Sequence, residues 1–409
     1  MQIAGIIAEY NPFHNGHFYQ ITKTKSETGC DAIVAIMSGN FSQRGSATIT
    51  DKFTRTKMAL LNGVDLVLEL PVPFATASAE LFAQCAVSIL HQSQIIDLIS
   101  FGSECGDISL LDTIAQTFLT HTEELDPLIK EALKKGQSFP RARTEAAINL
   151  LNRSTLGQAH SDLQVALESP NNILGIEYLK ARHQLNSSIT PFTVKRLHAN
   201  YHDSEISGTI ASATAIRHSI TQDRSVHQNC MPSSAAYLLE RNVYPCMESL
   251  AQFLHFKLMF SNPEELYAVW DIPRDLIHTF IKHAKIAPDY QKLVDLCTSK
   301  TYTRATVQRA LLRILFDIRS EEITPFIHPT SIPYIRVLGC RKEALSILKL
   351  LSSKSSVPLI TNLGKQYSQL TPDQKLFIDY ELRATKLYHY LTQMPKLASQ
   401  DFTQPFVLI

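Results

Sequence analysis

The strongest constraint on the fold of this chain is a strand–turn–helix pattern within its first thirty residues. The run from Ile3 to Ile7 is short, apolar and rich in β-branched residues, which is typical of a buried strand. The run from Phe18 to Thr28 has the length of a helix, and Gly29 follows it as a common helix-ending residue. Asn11-Pro12 is a turn signal between them. The pattern predicts a strand that leads through a turn into a helix.

His14 and His17 lie at the end of this turn, with Gly16 between them. Ligands of open parallel sheets bind beyond the carboxyl ends of the strands, and a helix N-terminus presents N–H groups and a positive dipole end to a phosphate. Gly16 lets the backbone approach a ligand closely, and the imidazoles can donate hydrogen bonds to charge that develops on phosphate oxygens. We therefore predict a nucleotide site. Surface histidines are the plain alternative, and a metal pair is disfavoured because no third ligand has a zinc-like spacing.

Strands and helices continue to alternate as far as Asp107. Further strands are predicted at 31–37, 64–70 and 95–101, with helices between them. This order predicts the α/β class, with a Rossmann-like, mainly parallel sheet covered by helices on both faces. The loops with Gly16, Gly39 and Gly102 each follow a predicted strand, so they are expected at one edge of the sheet. This convergence predicts a single active cleft.

A second phosphate-binding element is predicted between Ile210 and Arg217. Ser212 can cap a helix whose first turn holds Thr214 and whose second turn presents Arg217. Hydroxyls and N–H groups at a helix start, with an arginine one turn further on, suit phosphate oxygens. A capped helix with an exposed arginine is the alternative.

The segment before it offers further polar groups. Asn171 and Asn172 stand at a predicted helix start, where ligand binding and plain N-capping are equally open. A strand is predicted at 189–197, with Lys195 and Arg196 at its end.

The chain changes character near residue 231, beyond which amphipathic helices dominate and the alternation of strands and helices does not persist. We expect two domains, an α/β domain over residues 1–230 and a mainly α-helical domain over residues 231–409. Part of the second half is basic and interleaved with tyrosines, which suits RNA phosphates and bases. A solvated helix face explains the same pattern. The arginines concerned include Arg304, Arg309, Arg313 and Arg336.

The composition agrees with a globular protein of two domains. The chain has 409 residues, of which 44% are hydrophobic and 19% charged, and its formal net charge is +1. Neutral overall charge neither requires nor excludes nucleic acid. We expect a cytoplasmic protein, because no signal peptide and no apolar run of membrane-spanning length is recognised. Seven widely spread cysteines fit reduced thiols.

The motifs together resemble the nucleotidyltransferase superfamily that carries a His-x-Gly-His motif and a hydroxyl-rich motif ending in Ile-Arg. Here these are His14 to His17 and Ile210 to Arg217. The runs at 8–17, 37–45, 65–71, 101–104 and 170–175 make nearly the whole chain similar to the bacterial tRNA(Met) cytidine acetate ligase family. One departure is Gly45-Ser46-Ala47, where that family usually has Gly-Glu-Pro.

This resemblance implies an ATP-dependent ligase that makes acetyl adenylate and releases pyrophosphate. The acetyl group then passes to N4 of the wobble cytidine of elongator tRNA(Met), which gives N4-acetylcytidine. Catalysis would fall to His14, His17 and Arg217, with Mg²⁺ held largely by the triphosphate and water. The residues implied to bind ATP are Ile7, Ala8, Glu9, Tyr10, Asn11, Pro12, Phe13, His14, Asn15, Gly16, His17, Phe18, Tyr19, Gln20, Gly102, Asn171, Arg196, Ser212 and Thr214. The acceptor would be the anticodon loop, contacted by the arginines named above.

Two other classes of protein stay open. A small-molecule adenylyltransferase of the same superfamily would share the ATP site but would not need a basic helical domain. A non-catalytic protein would bind ATP and RNA without releasing pyrophosphate. Replacing His14 or His17 by Ala separates these classes, because catalysis falls steeply only in an enzyme and RNA affinity hardly changes.

Overall fold

The fold is known from a computed structural model, which describes residues 1–137, 139–154, 160–197, 208–222, 225–327 and 332–409. This part of the chain contains eight strands and 21 α-helices. The strands are β1 (Ile3–Ala8), β2 (Ala32–Ser38), β3 (Leu66–Leu70), β4 (Leu98–Ser103), β5 (Thr190–Lys195), β6 (Ile335–Cys340), β7 (Leu359–Ile360) and β8 (Val407–Leu408).

Helices follow most strands and dominate the second half. Those of the first half are α1 (Asn15–Thr28), α2 (Lys52–Leu61), α3 (Val72–Ala75), α4 (Ala79–Ser93), α5 (Ile108–Thr120), α6 (Thr122–Lys134), α7 (Phe139–Ser154), α8 (His160–Glu168), α9 (Pro170–Gln184) and α10 (Ala213–Thr221). Those of the second half are α11 (Ser233–Glu240), α12 (Leu250–Phe260), α13 (Pro263–Tyr267), α14 (Arg274–Ala284), α15 (Tyr290–Cys297), α16 (Arg304–Phe316), α17 (Ser320–Ile323), α18 (Leu345–Lys354), α19 (Leu363–Gln366), α20 (Pro372–Leu391) and α21 (Gln400–Thr403).

One sheet organises the molecule, with the strand order β5-β4-β1-β2-β3-β6-β7 and β8 beside β6. The five strands of the first half pair in parallel. Strands β2 and β3 are buried along their whole length, as expected where helices cover both faces. The predicted α/β class, with a parallel-dominated sheet, is therefore confirmed, and each of the five predicted strands is present.

Strand β1 lies between β2 and β4, and the chain leaves it on one side and returns on the other. Such a reversal of strand order opens a crevice beyond the carboxyl ends of the central strands, where ligands of α/β proteins bind. The segments that follow β1, β2 and β4 all begin at this edge, as predicted from their glycines. The fold thus directs the turn after β1 into the crevice.

The second half is mostly helical, and it also contains the strands β6, β7 and β8, which were not among the predicted strands. Strand β6 pairs antiparallel with β3, with Leu66 opposite Cys340 and Leu68 opposite Val337. Because β3 and β6 are far apart in the chain, no local sequence pattern predicts that they pair. The two halves share one sheet, and a domain boundary at residue 230 stays a prediction.

A buried group of five ionisable side chains joins the two halves, and we call it the charge cluster. Its members are Lys52, Glu69, Arg336, Glu381 and Asp401, each at most 4% exposed. Nζ of Lys52 lies 2.7 Å from carboxylate oxygens of both Glu69 and Asp401. The Arg336 guanidinium contacts the same two carboxylates at 2.9 and 2.7 Å.

Burial and the charge of Glu69 raise the pKa of Glu381 well above its ordinary value. Two cations contact two carboxylates at hydrogen-bonding distance inside the protein, and Glu381 lies 3.9 Å from Nζ of Lys52. Compensation of this kind is what allows charges to be buried.

None of the described helices is long and apolar enough to cross a membrane. All seven cysteines lie within the described residues, and none of them forms a disulfide.

Candidate nucleotide site

The turn after β1 is built around its two histidines. His14 is the N-cap of α1, and its Nδ1 accepts a hydrogen bond from the Gly16 N–H at 3.1 Å. In return, the His14 N–H donates to Nδ1 of His17 at 3.2 Å, which completes a capping box made of imidazoles. The two rings stack with centroids 3.7 Å apart. A Cβ at Gly16 would lie 2.9 Å from the His14 ring, so this position needs glycine.

These hydrogen bonds determine the tautomer of both rings. Each Nδ1 accepts a backbone N–H, so a neutral ring carries its proton on Nε2. Burial, followed by the charges of Arg196 and Arg217, lowers the pKa of His14 to about 3. Burial, followed by His14 and Arg196, lowers the pKa of His17 well below 6.5. Near pH 7 both imidazoles are therefore neutral Nε2–H donors.

Hydrophobic and amide contacts hold the rest of the turn in shape. Tyr10 has a backbone φ of 46° and precedes a cis Asn11-Pro12 bond. Its ring lies edge-on to His17, with centroids 4.9 Å apart, and packs against Phe13. Oδ1 of Asn11 accepts the Ile49 N–H at 2.7 Å. These contacts anchor the turn to the core.

Two adjoining cavities flank the turn, and Gln20, Gly102 and Arg196 line both of them. The larger is lined by Ile7, Ala8, Glu9, Tyr10, Asn11, His17, Gln20, Gln43, Arg44, Phe82, Phe101, Gly102, Asn171, Leu174, Tyr178, Arg196 and Ala213. The smaller is lined by His14, Gly16, Tyr19, Gln20, Gly102, Val194, Arg196, Leu197, Ile210 and Ala211. Most of the predicted site residues thus meet at one place.

Not all of the residues predicted to bind ATP line a cavity. Among the described residues before position 21, Pro12, Phe13, Asn15 and Phe18 line neither of the two. Pro12 and Phe13 are buried, and the Phe18 side chain is exposed. The Asn15 amide donates to the carbonyl oxygens of Thr209 and Asn229 at 2.8 and 3.0 Å. Pro12, Phe13 and Asn15 therefore support the shape of the site, whereas the Phe18 side chain does not contribute to it.

The start of α10 lies against the histidine turn. Ser212 caps this helix as predicted, since its Oγ accepts the Ala215 N–H at 3.0 Å. Nη1 of Arg217 donates to the Asn11 carbonyl oxygen at 2.6 Å, and Nη2 donates to the Thr214 hydroxyl at 3.2 Å. The predicted second phosphate element and the histidine turn are therefore in direct contact.

Arg44 also reaches this place, although it was not among the predicted site residues. Its Nη1 donates to the Thr214 hydroxyl at 3.0 Å, and it lines the larger cavity. Gly45 follows it with a positive φ of 77°, and a Cβ there would lie 2.5 Å from the Arg309 backbone nitrogen. The loop at 41–47 is therefore seated directly on α16. Thr214 is 170 positions away, so only the polar loop after a strand could have indicated Arg44.

Asn171 and Asn172 both interact with Glu104, which follows β4. The Asn171 amide donates to the Glu104 carboxylate at 2.6 Å, and the Asn172 N–H donates to it at 3.0 Å. Oδ1 of Asn172 accepts the Glu104 N–H at 2.9 Å. Asn172 therefore stabilises the loop that follows β4, whereas Asn171 also lines the larger cavity.

The four arginines predicted to bind tRNA do not share one surface. Arg313 is 3% exposed and bonds to Asp271, and Arg336 is 4% exposed in the charge cluster. The structure does not support an RNA contact for these two, because their charges are buried and compensated. Arg304 is half-exposed beside Asp295, and Arg309 donates to the Gln43 carbonyl oxygen at 3.3 Å. For Arg304 and Arg309 an RNA contact stays a prediction.

Known proteins resemble this chain over its full length. A family model described as HIGH Nucleotidyl Transferase matches residues 1–404. Proteins named tRNA(Met) cytidine acetate ligase from Clostridium perfringens and Acetivibrio thermocellus are each 37% identical, with 100% of both chains covered. Crystal structures of Thermotoga maritima TmcAL, apo and bound with alpha-thio ATP, match with TM-scores of 0.93 and 0.90, at 31% and 30% identity and 100% coverage of both chains.

Proposed function

The chain belongs to the HIGH nucleotidyl transferase family and, within it, to the tRNA(Met) cytidine acetate ligases, and we propose that it acetylates N4 of the wobble cytidine of elongator tRNA(Met). The cosubstrates are ATP and acetate, and the other products are AMP and pyrophosphate. The observation that carries the proposal is the pair of neutral, stacked imidazoles at the switch point of a sheet shared with these ligases. We place the enzyme in the cytoplasm, where its tRNA is found.

In the first step, an acetate oxygen attacks the α-phosphorus of ATP, and the bond from that phosphorus to pyrophosphate breaks. Acetate is anionic at pH 7, so this step needs no general base. It needs positioning and stabilisation of the negative charge that builds up on the phosphate oxygens. His14 and His17 supply two Nε2–H donors for that charge. Because their pKa values are low, both donors keep their form across the physiological pH range.

We assign the adenosine to the smaller cavity and the reacting groups to the larger one. The smaller cavity is walled by the apolar side chains of Val194, Leu197 and Ile210. The start of α10, with Ser212, Thr214 and Arg217, would hold the β- and γ-phosphates, because it offers N–H groups and hydroxyls beside a guanidinium.

Mg²⁺ is proposed to enter with the triphosphate. The described residues hold no group of three His, Cys, Asp or Glu side chains suited to a metal ion. Glu9 is the single carboxylate in the described lining of the two cavities. This donor set fits a cation that keeps mostly phosphate and water ligands. When bound, Mg²⁺ would neutralise charge on the departing pyrophosphate.

The second half is proposed to contribute tRNA contacts. Arg304 and Arg309 lie on α16, which also carries the loop with Gln43 and Arg44. An anticodon loop placed on the start of this helix would lie next to the larger cavity. An exposed wobble base can enter such a cavity at small unstacking cost.

The test uses purified protein with ATP, Mg²⁺ and labelled acetate, with and without unmodified elongator tRNA(Met). We expect label on the wobble cytidine together with AMP and pyrophosphate. His14→Ala should abolish labelling but keep tRNA affinity, and His121→Ala, outside both cavities, should change neither. ATP binding without acetyl adenylate and without labelled tRNA would contradict the proposal. It would point to another adenylyl acceptor or to a non-catalytic role.

A further inference from the structure

The proposed reaction has a second step that the histidine turn cannot serve. The cytosine amine attacks the acetyl carbon, a C–N bond forms, the C–O bond to AMP breaks, and the nitrogen must lose a proton. A base must therefore accept that proton. Each imidazole already uses Nδ1 to accept a backbone N–H and carries a proton on Nε2, so neither has a lone pair to offer.

We infer that Glu9 is the catalytic base of acetyl transfer and the group that recognises the cytosine amine; this inference rests on the proposed function. Glu9 follows β1 and lines the larger cavity, as does His17. It is the only carboxylate in the described lining of that cavity. No thiol lines it either among these residues, so the carboxylate is the available proton acceptor.

Hydrogen bonds hold both the side chain and the backbone carbonyl group of Glu9. Its Oε1 accepts the Gln43 N–H at 2.7 Å, and its carbonyl oxygen accepts a hydrogen bond from Nη1 of Arg55 at 2.6 Å. The Arg55 guanidinium is fully buried and also donates to the Ser38 and Gly39 carbonyl oxygens at the end of β2. Among the described residues, no hydrogen bond engages the other carboxylate oxygen, Oε2. A fixed carboxylate with one uncommitted oxygen is the geometry that proton transfer requires.

The functional groups of cytosine are complementary to this carboxylate. A cytosine presents an N4 amine, which Glu or Asp accepts, whereas a uracil presents a carbonyl oxygen there, which a carboxylate repels. Attack by the amine produces a cationic nitrogen on the addition intermediate, which is acidic enough for a carboxylate to deprotonate. The proton passes to Glu9, the electron pair of the broken bond leaves with AMP, and the neutral amide remains.

The neighbouring ionisable groups agree with this role. Burial, followed by the Glu9 charge, raises the pKa of Tyr178, so its phenol stays protonated beside the carboxylate. The apolar Phe82 and Leu174 side chains line the same cavity and offer a surface for the base or the acetyl group. The other charged or titratable groups around Glu9 are Tyr10, His17, Arg44, Arg55 and Arg196.

The test is Glu9→Gln with the two steps measured separately. Glutamine keeps an oxygen for the Gln43 N–H, so the loop contact is retained while the base is lost. Adenylation is followed as acetate-dependent exchange of pyrophosphate into ATP, with a tRNA that has uridine at the wobble position and no amine to react. Transfer is followed in a single turnover with the cytidine-containing tRNA. We expect transfer to fall about 10²- to 10⁴-fold, and at least tenfold more than adenylation.

Two further variants make the result specific. Glu27→Gln removes an exposed carboxylate of α1 and should leave both rates unchanged. The wild-type transfer rate should rise with pH on an acid limb that Glu9→Gln lacks. Glu9→Asp, which keeps a carboxylate on a shorter side chain, should restore that limb at a lower rate.

Several outcomes would overturn the inference. Equal losses in both steps, accompanied by a higher Mg²⁺ requirement, would assign Glu9 to the nucleotide and its metal. An unchanged transfer rate or an unchanged acid limb would exclude Glu9 as the base. A wild-type protein that labels no tRNA would defeat the proposed function as well, so the two failures are distinguishable.

Discussion

The histidine turn and the charge cluster bury ionisable groups in opposite ways. In the turn, burial keeps His14 and His17 neutral, with their Nε2–H groups as hydrogen-bond donors. In the cluster, Lys52 and Arg336 stay charged because two carboxylates contact them at hydrogen-bonding distance. The cluster's ion pairs join the halves. The difference shows how one fold keeps compensated charges at one place and hydrogen-bond donors for an anion at another.

The largest effect should come from breaking the cluster. Asp401→Asn removes a carboxylate that contacts both cations, so Lys52 and Arg336 each lose a buried ion-pair partner. We expect the free energy of unfolding, measured with urea, to fall by about 3–5 kcal/mol. Glu343→Gln, which removes an exposed partner of Arg341, should change it by less than about 0.5 kcal/mol. A loss below 1 kcal/mol for Asp401→Asn would contradict compensated burial.

A somewhat smaller effect, on rate and not on stability, is expected for His14→Asn. Asparagine is a good N-cap and can accept the Gly16 N–H in place of Nδ1, but it lacks the Nε2–H donor. Adenylation should fall about 10²- to 10³-fold, which is about 2.7–4 kcal/mol. The urea unfolding curve should stay within about 1 kcal/mol of wild type. Full adenylation activity in this variant would reduce His14 to a capping residue.

The pH dependence of the free energy of unfolding tests whether His14 is neutral in the folded protein. The pKa of His14 is near 6.5 in the unfolded chain and about 3 in the folded protein. Between these values the unfolded state binds a proton that the folded state does not, so stability falls as pH decreases through this window. Each such histidine contributes a slope of about 1.4 kcal/mol per pH unit. Urea titrations from pH 7 to pH 4 should show a flatter dependence for His14→Asn, and equal slopes would refute the neutral imidazole.

The smallest effect is expected at the exposed end of α16. Arg304 is half-exposed beside Asp295, so Arg304→Gln should change stability by less than about 1 kcal/mol. If Arg304 contacts a tRNA phosphate, the slope of log affinity against log salt should fall by about 1. Filter binding over a range of salt concentrations measures this slope. An unchanged slope would remove Arg304 from the tRNA surface.

The first half could be predicted from sequence because its signals are local. Each strand from β1 to β4 is a short apolar run that ends at turn residues, whereas β5 follows an alternating pattern. Parallel strands bring their following loops to one edge. The Ser212 cap and the position of His14 and His17 follow from the same local signals. The neutral state of the imidazoles does not, because it depends on burial by the whole fold.

The second half was harder because its decisive contacts are distant in the chain. Arg336 belongs to a strand, yet its sequence neighbourhood suggested a basic RNA-binding surface. Its two carboxylate partners come from β3 and α21, which no local pattern connects to it. Arg313 misled in the same way, since it packs against Trp270 and pairs with Asp271. A basic stretch in a sequence does not reveal whether its charges are exposed.

The contact between Gly45 and α16 limits how the sequence can vary at this position. No side chain fits at position 45 while the backbone of Arg309 stays where it is. The loop at 41–47 and helix α16 therefore constrain each other, although one lies in each half of the chain. A chimaera that took its two halves from different relatives would keep this contact only with glycine at position 45. The close packing of the two halves thus depends on a residue without a side chain.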